Sequence, residues 1–387
     1  MKTMSQSKSP SASKPSKSKL NAYPWWAMRF WHGMLPTDFF RLLKRGRFRL
    51  HPLRMPMAAI IATVTGFNLT LYLLQQILFG RKIAETQLEH PPIFIVGHWR
   101  SGTTLLHELM VRDDRFAYPS TYQVFAPHHF LISEPWITRM FFFLIPKQRP
   151  MDNMAAGWQR PQEDEFALTV LGSRSPYSRM AFPNNPPLDS DYLNMEGVAQ
   201  ADLEKWKAKL DWYVKLLTYK NGGKQIIMKS PPHTGRIKYL ADMFPGAKFV
   251  HISRHPYSIY PSTCRLWPAL DDAQGFQIPK NEHLAEYVHD CFERMYSGYD
   301  AQYDSIDPAN IMDVRYEDIV ADPVGALESI YATLELADFD YVRDKIEAFA
   351  DEQKGYQTNV HNLDDETKQA IRERWSKYFT RYGYDAD

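Results

Sequence analysis

The stretch from Pro92 to Met110 restricts what this chain can fold into more than any other. Ile93 to Val96 is a short apolar run bounded by Pro91-Pro92 and Gly97, and it reads as a buried strand. From Thr103 onward the alternation is lost and the pattern is helical. The loop between has Gly97 and Gly102 at its ends, which lets backbone N–H groups turn inward and meet an anion where a helix dipole is positive. Glycines alone leave an ordinary strand-to-helix turn equally open.

Spacing says more. Gly97-x-x-x-x-Gly102-Thr103-Thr104 fits the nucleotide-binding pattern G-x-x-x-x-G-K-[ST] at every position but one, since Thr103 stands where the lysine belongs. A nucleotide kinase without that lysine lacks the cation that meets the outer phosphates. The positive charge sits inside the loop instead, at Arg100.

With these residues in view, Arg100-Ser101-Gly102-Thr103-Thr104 resembles the 5′-phosphosulfate loop of sulfotransferases. These enzymes move a sulfuryl group from 3′-phosphoadenylyl sulfate (PAPS) to an acceptor. The resemblance implies an α/β fold of the P-loop nucleotide-kinase-like kind, with a mostly parallel central sheet flanked by helices. Two later stretches, Ile226 to His233 and Phe249 to Ser262, each begin as an apolar strand and end in a cation with a proline-bearing turn. That places Lys229 and Arg254 at carboxyl ends of strands, the edge where open α/β sheets bind ligands. Arg254 and Ser262 resemble the family's 3′-phosphate pair, an arginine fork with a hydroxyl donor beside it. Lys229 would stabilise charge on the leaving oxygen. No metal is expected, because fixed cations supply the neutralisation that magnesium gives kinases.

A base must also be found. Arg160-Pro161-Gln162-Glu163-Asp164-Glu165 precedes an apolar helical run, and acids there are an ordinary helix start. The other reading is catalytic, a carboxylate held partly out of water to remove the acceptor proton. On helical spacing Glu163 shares a face with Phe166, Ala167 and Val170; Glu165 is the second choice. His233 lies four residues after Lys229, whereas the cytosolic branch keeps its histidine two after. It stays a candidate, with His128 and His129 behind it. Tyr118 to Tyr122 has no carboxylate where the tyrosyl-protein branch has one, which argues against a protein-tyrosine acceptor.

Charge is unevenly placed. The 387 residues carry a net +1, yet residues 1–54 hold twelve Lys/Arg against Asp38 alone, so this end is +11 and the rest is −10. Residues 1–20, with seven serines and five lysines, bury too little to offset ordering entropy and read as a disordered tail. Residues 21–90 form a basic-aromatic and apolar helical segment, and 91–387 the sulfotransferase domain. In Tyr23–Arg54, Trp25, Trp26, Phe30, Trp31, Phe39, Phe40 and Phe48 interleave with basic residues, a mix suited to an anionic membrane surface. Nucleic acid is not expected, because the remaining surface is acidic and no reader module is present.

Residues 55–80 contain no charge, yet Pro56, Thr63, Thr65, Gly66, Asn68, Thr70, Gln75 and Gln76 make a full membrane span less favoured than an interfacial or core-packed helical hairpin. A second greasy run, Trp136 to Pro146, is too short to cross and reads as a buried helix or as the lid of an acceptor site. These regions bring a lipid among the acceptor hydroxyls. Two cysteines, Cys264 and Cys291, without a disulfide framework favour a cytoplasmic setting, peripheral to the inner face of a membrane.

Further strands and helices alternate, which favours a parallel sheet with right-handed crossovers. Ile311–Val314 is the fourth strand, with Arg315-Tyr316-Glu317-Asp318 as an ion-paired exit. Lys354-Gly355-Tyr356 could lie over the 3′-phosphate, and 364–382 reads as one closing helix with Ile371, Trp375 and Phe379 inward. Two alternatives remain, a P-loop kinase and an inactive membrane-associated nucleotide-binding protein.

Overall fold

Five strands, β1 Ile93–Val96, β2 Phe116–Ala117, β3 Gln225–Lys229, β4 Lys248–Ser253 and β5 Ile311–Arg315, form one parallel sheet in the order β2-β3-β1-β4-β5. This is a computed structural model, and it describes residues 23, 24, 26–145, 156–353 and 362–385. The 1–20 tail and the Lys354-Gly355-Tyr356 loop lie outside them. β2 was not foreseen: two residues carry no readable period.

Alternation explains why β1 has no polar position. Successive side chains leave a strand on opposite faces. Phe94, Val96, Met228 and Phe249 join one apolar cluster, and Ile93, Ile95, Ile227 and Val250 the other. Helices cover both faces, so all four β1 residues are buried. Ile95 lies opposite both Lys229 and Val250, and Ser253 opposite Arg315. Gly97, Ser230 and Arg254 therefore leave the sheet along one edge. From β1 the chain runs to β2 and β3 on one side and then to β4 and β5 on the other, and such a switch point is where open sheets form a crevice.

The helices are α1 Pro36–Arg45, α2 Met55–Ala84, α3 Thr103–Met110, α4 Thr121–Phe125, α5 Phe130–Met140, α6 Asp164–Val170, α7 Gln200–Lys220, α8 Ile237–Met243, α9 Pro256–Gln274, α10 Leu284–Tyr303, α11 Tyr316–Ala321, α12 Pro323–Thr333, α13 Asp340–Gln353, α14 Asp365–Arg374 and α15 Ser376–Tyr382. The expected closing helix is thus two, broken at Trp375, although Ile371, Trp375 and Phe379 do point inward. Trp375 lies flat on Phe292 of α10 with centroids 3.6 Å apart, which fixes the tail against the domain.

The N-terminal segment departs from expectation. Phe30, Trp31 and Phe39 are buried with the main core, not offered to a bilayer. Trp31 Nε1 donates to Gln274 O at 2.6 Å and Arg29 Nε to Ala273 O at 3.0 Å, so the end of α9 satisfies both donors inside the protein. Trp26, Phe40 and Phe48 remain exposed.

Residues 55–84 are one continuous helix and no hairpin. Asn68 Nδ2 donates to His32 O at 2.6 Å and Met34 O at 3.0 Å, and Gln75 Nε2 donates to His128 O at 2.9 Å while its Oε1 accepts from Leu131 N at 3.0 Å. Two of the polar residues that spoke against a span, Asn68 and Gln75, bind α2 to the domain.

Candidate active site

The loop after β1 takes the backbone conformations its glycines allow. Gly97 has φ 140°, Gly102 φ 108°, and between them Arg100 itself has φ 70°. A Cβ on Gly97 would lie 2.5 Å from Ile252 O, and one on Gly102 would lie 2.3 Å from the Tyr316 ring. Gly97 N donates to Thr234 Oγ1 at 2.7 Å, which ties the loop to the segment after β3. Ser101 Oγ is fully buried and has no hydrogen-bond partner among the described residues. A buried hydroxyl without a partner, at the start of α3, suits an anion that would accept from it.

Residues 162 positions apart meet here. Arg100 Nε donates to Ser262 Oγ at 2.8 Å, and Arg254 Nη1 donates to Arg100 O at 3.1 Å. The Arg254 guanidinium also lies 4.0 Å from the centroid of the Tyr316 ring. Arg254 N donates to Tyr378 Oη at 3.0 Å, so the C-terminal helices close over this corner. The two cations expected at opposite phosphates thus share one hydrogen-bonded cluster.

Glu163 faces Lys229. The carboxylate sits at the position preceding α6, with φ −76° and ψ 126°, so it is not on the helix face that its spacing suggested. Lys229 Nζ donates to Glu163 Oε1 at 2.7 Å, and the Tyr177 hydroxyl donates to Oε2. Trp99 Nε1, within the glycine loop, donates in turn to Tyr177 Oη at 2.8 Å. Burial and the adjacent Glu163 carboxylate push the Tyr177 phenol well above its usual range. Lys229 also lies close enough to α3 that its charge adds to burial in holding His107 well below an ordinary imidazole. A loop, a base candidate and a cation are joined in one buried chain.

A profile of the sulfotransferase family matches residues 91–340. The chain belongs to the sulfotransferase family. It is 42% identical over 370 residues, 96% of this chain and 95% of the other, to the omega-hydroxy-beta-dihydromenaquinone-9 sulfotransferase Stf3 of Mycobacterium tuberculosis, and equally to that of Mycobacterium bovis. Among solved structures, sulfotransferase STF9 from Mycobacterium avium matches with a TM-score of 0.66 at 14% identity, covering 90% of this chain and 96% of that one. STF1 from Mycobacterium tuberculosis matches with 0.61 at 16% identity, covering 91% and 94%. The protein is a PAPS-dependent sulfotransferase of P-loop-like α/β fold.

Not every expected residue of this sulfotransferase stands beside the Lys229 pair. Glu165 is fully buried, bound by Arg236 at 2.7 and 3.2 Å and by Ser175 Oγ at 2.6 Å. His233 is fully buried and contacts Asp164 Oδ2 at 2.6 Å, while Ser230 Oγ donates to Asp164 Oδ1 at 2.8 Å. Burial raises the Asp164 carboxyl, but the His233 charge and the hydrogen bonds from His233 and Ser230 outweigh it and hold Asp164 below the ordinary range. Glu163, Asp164 and Glu165 thus face Lys229, His233 and Arg236 in order. The second and third pairs are fully buried, and neither Glu165 nor His233 contacts Lys229. His128 and His129 lie under α2 and pack there, with Ser133 Oγ 2.8 Å from His129 Nδ1.

Trp99 and Tyr177 were missed. Trp99 lay in view inside the loop motif, whereas Tyr177 sits in an irregular turn with no pattern to single it out.

Proposed function

We propose that this sulfotransferase acts on the hydroxyl of a lipid-class alcohol, with Glu163 as general base and Lys229 as the cation that meets the leaving oxygen. The observation that carries the reading is the 2.7 Å contact between Lys229 Nζ and Glu163 Oε1 at the exit of β3, beside the glycine loop. Arg100, Ser101, Gly102, Thr103 and Thr104 hold the 5′-phosphosulfate, and Arg254 with Ser262 the 3′-phosphate. Glu163 takes the acceptor proton as the acceptor oxygen bonds to sulfur. The bond from sulfur to the phosphate oxygen breaks, and Lys229 offsets the charge left on that oxygen. The products are a sulfate ester and 3′-phosphoadenosine 5′-phosphate. Tyr177, donating to Glu163, is a positioning residue. No divalent ion is required.

The lipid class is supported by the relatives that are 42% identical and named for an omega-hydroxylated menaquinone. It is supported also by the aromatic wall beside Glu163, where Phe30 lies 4.9 Å from Phe166 and Phe166 4.7 Å from Tyr177. Such an acceptor, with both cysteines free, favours a cytoplasmic enzyme working at the inner face of a membrane.

The test incubates the full chain with sulfur-labelled PAPS and a terminally hydroxylated menaquinol, beside a short water-soluble alcohol. Labelled lipid that disappears in Glu163→Gln supports the reading. Equal transfer by that variant removes Glu163 from its role, and transfer to the short alcohol alone removes the lipid.

A further inference from the structure

A helix on the surface of a soluble domain turns its apolar side inward and its polar side to water. Along α2 several residues do the reverse, although Ala58, Ile61 and Ile83 are buried and Thr63 and Thr70 exposed. Thr65, Asn68 and Gln75 are 1%, 4% and 0% exposed, whereas Ile60, Phe67, Leu73 and Ile77 are 53%, 49%, 52% and 81% exposed. No charged side chain occurs between Arg54 and Arg81. The apolar surface continues onto the end of α5 and the turn after it, where Met140, Phe142 and Phe143 are also exposed. We propose that this face sits in the headgroup and acyl boundary of an anionic bilayer, with α2 lying in the plane of the membrane.

The hydrogen bonds of α2 decide against a crossing. At 30 residues the helix is about 45 Å long, enough to span. To cross, it would have to leave the domain, abandoning the bonds from Asn68 to His32 and Met34 and those between Gln75 and His128 and Leu131. Each amide would then lie in hydrocarbon without a partner, which is strongly unfavourable. Lying flat, α2 keeps all of them and turns a mainly apolar face to the lipid, with the Thr63 and Thr70 hydroxyls bonded to carbonyls of its own helix.

Charge decides between a bilayer and a second copy of the chain. Arg41, Lys44, Arg47 and Arg49 are exposed near the start of α2, Arg81 and Lys82 at its end, and Arg139 on α5. Self-pairing through this face would bring the cations near the start of α2 together, while anionic headgroups complement them there; at the far end Arg81 is paired with Glu85 at 2.8 Å. Exposed Phe40 and Phe48, 5.7 Å apart, lie among these cations in the sequence.

The proposal rests for its purpose on the lipid-acceptor reading. Asn68 holds the turn Phe30–Gly33 beneath α2, and from Phe30 the rings of Phe166 and Tyr177 lead to Glu163. Three rings, Phe30, Phe166 and Tyr177, separate the carboxylate from the turn beneath the helix that faces lipid.

The measurement is flotation of the full chain, without either substrate, on vesicles of equal parts phosphatidylglycerol and phosphatidylcholine. The expected result is that the wild-type protein floats and that Leu73→Glu/Ile77→Glu loses binding on the order of tenfold or more. Calorimetry with 3′-phosphoadenosine 5′-phosphate on the same samples checks folding and should give equal heats. A wild-type protein that stays at the bottom, a variant that floats equally, or a lipid-free dimer that the variant dissolves would each overturn the docking face. Flotation without nucleotide heat leaves the face standing and sinks the donor reading instead.

Discussion

Lys229 Nζ lies 2.7 Å from Glu163 Oε1, with the two side chains only 2% and 9% exposed. Taking both charges out of water is unfavourable unless they are paired and fully hydrogen-bonded. Tyr177 and Trp99 complete that pairing, which links the base candidate to the loop expected to hold the donor.

Replacing Glu163 by Gln keeps the shape and removes the proposed base. The expected outcome is a fall in kcat of about a hundredfold to ten-thousandfold, with nucleotide affinity nearly unchanged. Radiolabel turnover and calorimetry read the two separately. A tenfold weaker nucleotide with normal kcat would assign Glu163 to binding.

Lys229→Met leaves Glu163 buried without its cation, and should lower stability by about 3–5 kcal/mol. Lys229→Met/Glu163→Gln should recover most of that loss while activity stays absent. Denaturant unfolding of the four proteins in the cycle measures the coupling. Additive stability losses would show that the pair does not act as a unit.

Arg254→Ala removes the fork expected at the 3′-phosphate, and nucleotide binding should weaken by about 1.5–3 kcal/mol, the range for hydrogen bonds to charged groups. Ser262→Ala should lose less, about 0.5–1.5 kcal/mol, because Arg100 keeps its contact with Arg254. Titration of 3′-phosphoadenosine 5′-phosphate gives both values. Unchanged affinity in Arg254→Ala would remove it from the site.

Burial, the leading cause, lowers His98 and His128 to about 3 and His129 to about 4. The folded protein holds these rings neutral, whereas an unfolded histidine protonates near pH 6.5. The unfolded state therefore binds more protons below that pH, and stability falls as the solution is acidified from about 6.5 toward 4. Each fully titrating ring contributes a slope of about 1.4 kcal/mol per pH unit. Thermal melts between pH 7.5 and 5 should show the decline, shallower in His98→Gln. A flat profile would contradict neutral burial.

The sheet was legible where a strand ran into a marked turn. Ile93–Val96, Ile226–Lys229 and Phe249–Ser253 each combine an apolar run with glycine, proline or a cation at its exit, so local pattern and tertiary role agree. β2 was silent because two residues have no period. Glu163 was picked correctly as facing inward but on a wrong premise, since it precedes α6 and helical spacing does not apply to it. For α2 the pattern misled in another way. Threonine, asparagine and glutamine lower a hydropathy profile, but nothing in the profile tells which side of the helix they occupy.

By itself the sequence determined the order of the parts: a glycine loop after the first strand, Lys229 and Arg254 at later strand ends, and a charge-free run between Arg54 and Arg81. These are local facts, written in spacing and residue type. Only the tertiary structure decided which acid meets Lys229, because three consecutive carboxylates are equivalent until the fold gives Asp164 to His233 and Glu165 to Arg236. It likewise decided that Asn68 and Gln75 of α2 face the domain, since the partner of each is a backbone carbonyl far along the chain, and no local pattern records where that carbonyl will be.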